Sequence, residues 1–261
     1  MRYYLICNWK MNPSSFDKAR SLLSAYNKIL SENKKEKWAN KRVVVCPPYL
    51  YFHLFDQMRS RMIKLGAQDV FWKSSGSYTG KVSAKMAKDF GVEYAIIGHS
   101  ELRVMGDSNL VVNLKIKESL RNGIIPVICV GYKDFRVETR NVVNAFSAED
   151  INKMIFAYEP HEAIGSDNPA SVDKVAYSIR QIRKTIFRKF RRKAVLKFVG
   201  LGSKKDIIPR PAVLYGGSVN IDNYKNFLAI PDLNGFILGR ESLKPNSVSE
   251  IIVNIDKHVV N

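Results

Sequence analysis

Cysteine, acidic residues and long apolar runs are all scarce in this sequence, and each scarcity removes a class of protein. The three cysteines, Cys7, Cys46 and Cys129, lie far apart, each inside an apolar run. That spacing offers neither the paired knuckles of a metal site nor a disulfide framework, so they read as core residues in a reducing compartment. The N-terminal apolar run, Tyr3 to Cys7, meets Asn8 and Lys10 too early for a signal peptide, and no other stretch is long enough to cross a membrane. A cytosolic location is the expectation. No Pro/Gly/Ser-rich linker, low-complexity tract or solenoid-length repeat interrupts the 261 residues. One domain over residues 1–261 therefore fits better than two small ones.

Acidic residues number 24 against 42 lysines and arginines, a formal charge of +18. Such a field attracts phosphate esters, nucleic acid and acidic membrane surfaces alike, and cannot choose among them. Its densest block, 180–205, contains no acidic residue. Val175, Ile179, Ile182, Ile186 and Phe190 recur there at helical spacing, so the block reads as the polar face of an amphipathic helix. A solvated face is the simpler explanation. No nucleic-acid motif or interleaved aromatics favours a nucleic-acid arm.

What the chain has in quantity is short β-branched runs separated by helical patterns. The runs are 3–7, 42–46, 63–67, 94–98, 125–129, 154–157, 212–215 and 235–238. Most are apolar on both faces, as strands of a parallel sheet covered by helices must be. Helices are expected at 15–30, 109–121, 172–190 and 247–259, the last opening with Ser247 and Glu250 in capping-box spacing. Eight strand–helix repeats predict an α/β fold, a (β/α)8 barrel, with an open doubly wound sheet as the alternative.

In such a barrel the chemistry belongs at the C-terminal ends of the strands. The first strand ends in Asn8-Trp9-Lys10, the fourth in His99-Ser100-Glu101, the sixth in Glu159-Pro160, the seventh in Gly216-Gly217-Ser218 and the eighth in Gly239-Arg240. A carboxylate where a buried strand ends is a poor way to build a core and a good way to build a site. An amide, an ammonium, an imidazole, two carboxylates and two glycine turns together fit proton transfer beside a carbonyl on a phosphorylated substrate. Singly, each has a plainer explanation: Glu159 as a surface carboxylate, Lys10 as a solvated lysine, His99 as a structural histidine, Gly216-Gly217 as a tight turn. Their conjunction outweighs those explanations. His53, His161 and His258 lack such company and read as structural or exposed.

Asn8-Trp9-Lys10-Met11-Asn12, Gly66-Ala67-Gln68-Asp69, Gly98-His99-Ser100-Glu101, Tyr158-Glu159-Pro160 with Ala163-Ile164-Gly165, and Tyr215-Gly216-Gly217-Ser218-Val219-Asn220 occur in that order. In this series the chain resembles the triosephosphate isomerase family along its whole length. The resemblance implies a homodimeric TIM barrel that interconverts dihydroxyacetone phosphate and D-glyceraldehyde 3-phosphate without cofactor or metal. It further implies that Glu159 is the base, that neutral His99 polarises the carbonyl, and that Lys10 stabilises the enediolate while Asn8 orients it. Gly165, Ser166, Ser218, Gly239 and Arg240 would supply donors to the phosphate. Glu101 is a supporting carboxylate with no assigned role. Closure of the loop after Glu159 would remove water from the site.

The chain also departs from the family pattern. His161-Glu162 stand where an aliphatic residue and a tryptophan are usual, and Ser166-Asp167-Asn168 where Thr-Gly-Lys is. Arg240 replaces a glycine, so Arg240→Gly lowers KM if the side chain merely obstructs and raises it if the arginine binds. Lys81 stands at a glutamate position and Leu102 at an arginine position, which implies a dimer with an altered polar network. A catalytically weakened barrel retained as a basic binder of anionic partners is the alternative function.

Overall fold

The computed structural model describes residues 2–32, 38–55, 63–163, 168–198 and 207–256. The expected strands are all present, as β1 (Tyr3–Asn8), β2 (Lys41–Cys46), β3 (Ile63–Ala67), β4 (Tyr94–Ile97), β5 (Ile125–Val130), β6 (Ile155–Tyr158), β7 (Ala212–Tyr215) and β8 (Gly235–Leu238). Each is parallel to its neighbours, and β1 pairs with both β2 and β8, so the sheet closes on itself in sequence order. Closure excludes the open doubly wound alternative.

The β runs are apolar on both faces because each face meets a different core. Tyr4 and Ile6 of β1, Val44 and Cys46 of β2, Ile155 and Ala157 of β6 and Ile237 of β8 belong to a cluster made of strand residues alone, which fills the barrel. Their neighbours Leu5, Cys7, Val43, Val45, Phe156 and Leu238 join a second cluster with residues of the surrounding helices. This is the period of two expected of a strand with both faces buried.

The helices are α1 (Phe16–Glu32), α2 (Ala84–Asp89), α3 (Ser100–Val104), α4 (Asn109–Arg121), α5 (Phe135–Ala145), α6 (Ala148–Asn152), α7 (Val172–Phe198), α8 (Tyr224–Leu228) and α9 (Pro245–Asn254). Two expected boundaries are corrected. The last helix begins at Pro245, not Ser247: proline is preorganised for a first helical position, and Ser247 lies inside the helix, buried. The Ser–Glu capping box expected there is therefore absent, whereas Ser147 and Asp150 form one at the start of α6. Helix α7 runs to Phe198 because its apolar repeat, buried from Val175 to Phe190, is followed by further helix formers with no glycine or proline before Gly200. The last part of the expected 247–259 helix, from 257 on, lies outside the described residues. Among the described residues no helix is long and apolar enough to cross a membrane.

Candidate active site

The inward period of two does not stop where the strands stop. In β6 it runs Ile155, Ala157, Glu159, so the third inward residue is a carboxylate above the apolar filling of the barrel. The same position above β1 is Asn8, above β7 Gly216 and above β8 Gly239. Glu159 is 3% exposed, and its surroundings are shaped by absent side chains. A Cβ on Gly216 would come within 2.9 Å of both Cγ and Oε1 of Glu159. A Cβ on Gly131, whose φ of +129° already requires glycine, would come within 2.5 Å of the Glu159 carbonyl oxygen. Small residues on both sides leave one place for the carboxylate.

Glu159 Oε1 stands 3.8 Å from Nε2 of His99, and Oε2 is buried with no hydrogen-bond partner among the described residues. The Cys129 thiol lies against the same carboxylate; burial, and then the negative charge of Glu159, hold its pKa well above the ordinary thiol value. Cys129 is thus a buried, protonated wall of the site, a role that its place in an apolar run did not disclose.

His99 sits at the N-cap of α3, and its Nδ1 accepts the backbone N–H of Glu101 at 3.3 Å. Nε2, the other ring nitrogen, faces Glu159.

Lys10 adopts φ +52°, a left-handed conformation that costs a non-glycine residue energy unless the surroundings hold it. Two amides do so. Its N–H donates to Asn8 Oδ1 at 3.1 Å, and its carbonyl accepts from Gln68 Nε2 at 2.7 Å. Gln68 Nε2 also donates to Cys46 O at 3.0 Å, which ties the turn to β2. The Lys10 ammonium then pairs with Glu101 Oε1 at 2.7 Å. Gln68 stood in a quoted signature without a role; its function as a brace is visible only once β1, β2 and β3 are side by side.

These groups open on a cavity of about 390 Å³. Asn8, Lys10, His99, Glu159, Ser218, Gly239 and Arg240 line it together, so seven of the expected site residues share one space. Glu101 supports Lys10 and lines an adjoining cavity of about 310 Å³ instead. Gly165 and Ser166 lie outside the described residues. Arg240 begins a short 3-10 helix, Arg240–Leu243, and is not among the residues with positive φ, so its Cβ is accommodated without backbone strain. Two unexpected charges line the same cavity: Glu241, 6% exposed with Oε1 unpartnered among the described residues, and Lys244, which bonds its other oxygen at 3.0 Å.

The turn after β7 also holds the segment that follows Glu159. Ser218 Oγ donates to the Ala163 carbonyl at 2.6 Å, and the Tyr215 hydroxyl accepts the Ala170 N–H at 2.9 Å while donating to Gly217 O. Glu162, where the family pattern has tryptophan, forms an ion pair with Lys174 of α7, and His161 lies edge-on to Tyr132 with ring centroids 5.2 Å apart. The hydrogen bond from Lys174 holds the Glu162 carboxyl below its usual range. Both flanks of 164–169 are therefore tied, with polar contacts in place of the usual apolar hinge. No group of three or more metal-binding side chains occurs among the described residues.

Comparison with known proteins agrees with this geometry. Residues 3–255 match the family model described as triosephosphate isomerase. The chain is 35% identical over 259 residues to the triosephosphate isomerase of Ehrlichia chaffeensis, covering 97% of this chain and 96% of that one. It is 33% identical over 263 residues to that of Coprinopsis cinerea, covering 96% of each chain. It is also 33% identical over 267 residues to that of Dictyoglomus turgidum, covering 96% of this chain and 98% of that one. With a closed eight-stranded barrel, a match across nearly its whole length and these relatives, the chain belongs to the triosephosphate isomerase family.

Proposed function

We propose that the triose-phosphate isomerisation of this chain runs through one general base, Glu159, with His99 as the acid–base partner on the oxygens and Lys10 as the cation that stabilises the enediolate. The observation that carries this reading is the buried Glu159 carboxylate, with Oε1 3.8 Å from His99 Nε2 and Oε2 without a hydrogen-bond partner among the described residues, on one cavity with Lys10. Glu159 takes the proton from the carbon beside the carbonyl, and its electron pair moves into a carbon–carbon double bond as the carbonyl oxygen gains charge. His99 Nε2–H donates to that oxygen and then returns a proton between the two oxygens, while Glu159 delivers its proton to the neighbouring carbon. An ammonium about 4 Å from the developing oxyanion is worth roughly 4 kcal/mol at an effective dielectric of about 20 before desolvation. Asn8 orients Lys10 through the bond to its N–H. Ser218, Gly239 and Arg240, together with Gly165 and Ser166, bind the phosphate.

The test is isomerisation in deuterated water. Solvent deuterium on the product carbon, lost together with turnover in Glu159→Gln, supports the assignment. Exchange that survives the substitution overturns it.

A homodimer that works in the cytoplasm completes the reading. In support, Met11 is 93% exposed, and Met105, 81% exposed, lines the cavity shared by Asn8, His99, Glu101 and the Lys81 loop. Exposed apolar clusters of this kind mark association surfaces. Sedimentation as a dimer at micromolar concentration is expected; a monomer alone refutes it.

A further inference from the structure

Helix α7 presents a surface that isomerisation does not use. On a helix turning about 100° per residue, Val175, Ile179, Ile182, Ile186 and Phe190 share the buried side. Tyr177, Arg180, Lys184, Phe187, Arg188 and Arg191 fall together on the opposite side, all exposed. The sequence suggested cations without interleaved aromatics. The helix brings both together, with Tyr177 43% and Phe187 47% exposed among the cations.

This face is charged without compensation. Arg183 is turned under the barrel, donating to Pro211 O, Asp232 O and Asn234 Oδ1, and so has a structural task. Arg180, Lys184, Arg188 and Arg191 form no ion pair among the described residues, and no acidic residue occurs from Lys174 to Lys205. Like charges four residues apart, as in Arg180–Lys184–Arg188, repel and weaken a helix. Helix α5 adds to the field instead of neutralising it. Arg136 and Arg140 line a groove of about 490 Å³ against Gln181, Thr185 and Arg188. Arg136 also donates to the Tyr177 hydroxyl at 3.0 Å, with its guanidinium 5.7 Å from the ring centre, which fixes the ring at the groove edge.

We propose that the α5–α7 face binds single-stranded nucleic acid, with the cations following the phosphodiester backbone and the rings of Tyr177 and Phe187 stacking on bases. A positively charged groove with aromatic platforms is the physical recipe for that ligand. The ten steps from Tyr177 to Phe187 rise about 15 Å, room for a few nucleotides of an extended strand. A duplex keeps its bases stacked away from such rings. A lipid surface would need the apolar face of the helix, which the barrel core has already covered. Helices of this barrel run opposite to the strands, so the basic face descends away from the cavity that holds Glu159, and the two functions are separable.

Fluorescence anisotropy of a labelled oligouridylate titrated with the full chain at several salt concentrations tests the proposal. Saturable binding is expected, weakening with salt. The combined variant Lys184→Gln, Arg188→Gln, Arg191→Gln should weaken binding at least about ten-fold and reduce the log–log salt slope by about 2. Phe187→Ala should weaken it about five-fold or more without changing the slope. Isomerisation rate and melting temperature, unchanged in both variants, show that the fold is intact. Absence of binding at physiological salt overturns the proposal. So does binding indifferent to both variants, equal affinity for a duplex that ignores Phe187→Ala, or retention only on phosphatidylserine vesicles.

Discussion

Gly216→Ala is a sharp test of how the fold holds its carboxylate. The added methyl would lie 2.9 Å from Glu159 Cγ, 2.9 Å from Oε1 and 3.2 Å from Ile237 Cβ. Ordinary contacts begin at 3.4 Å, so the carboxylate must retreat by about 0.5 Å at both Cγ and Oε1. It cannot retreat freely: Gly131 packs against its backbone, and the Cys129 thiol and His99 ring flank its side chain. Misplacing a reacting group by about 1 Å costs on the order of 100-fold. A fall in kcat of roughly 10- to 100-fold with KM little changed is therefore expected, read by coupling dihydroxyacetone phosphate formation to its reduction. Gly216 has no positive φ, and alanine reduces the freedom of the unfolded chain, so the melting temperature should fall little. Turnover within two-fold of the parent in a folded protein would refute the claim that the missing side chain positions the base. A large loss of stability would show instead that the methyl is accommodated by the barrel wall.

Three further outcomes follow from the charges and the brace around the site. Asp69 is paired with Lys115 at 2.8 Å, and Lys115 also bonds Asp107 at 2.6 Å; burial outweighs that attraction and raises the Asp69 pKa. A carboxyl that holds its proton more tightly when folded favours the fold at low pH and loses that contribution as pH rises through the raised value. Asp69→Asn should thus raise the melting temperature at neutral pH and flatten its decline from acid to neutral, since Lys115 keeps Asp107. A lower melting temperature at neutral pH would show that pairing wins. Arg240→Gly should raise KM about five-fold, the loss of roughly 1 kcal/mol from a cation near the phosphate in a wet site; a lower KM would identify the side chain as an obstruction. Gln68→Ala removes one of the two clamps on the left-handed Lys10 and should lower kcat about ten-fold with the melting temperature little changed; unchanged kcat would make the Asn8 bond sufficient.

The strands were legible in the sequence because a doubly buried strand has to be apolar on both faces, as most of the eight runs are. Asn8, His99 and Glu159 were legible for the converse reason, since a polar group at the end of such a run has no place in a core. What closes around them was not. The glycines at 131 and 216 owe their importance to inward register across neighbouring strands, and Gln68 owes its own to a turn 58 residues away. The missing Glu–Arg pair implied by Lys81 and Leu102 was readable. Its neighbour, the Asp69–Lys115–Asp107 group around a buried lysine, joins residues that spacing never brings together. At α9 the signal was present and misjudged, because Pro245 marks a first helical position more firmly than Ser247 with Glu250 marks a cap.

The central claim is that Glu159 is the base, and Glu159→Asp tests it most directly. Shortening the side chain by one methylene withdraws the carboxylate from the cavity while keeping its charge and its neighbours. Measured with D-glyceraldehyde 3-phosphate and coupled reduction of the product, kcat should fall about 100-fold or more with KM nearly unchanged. Turnover close to that of the parent enzyme, in a protein that melts normally, would contradict the account and require another base on the same cavity.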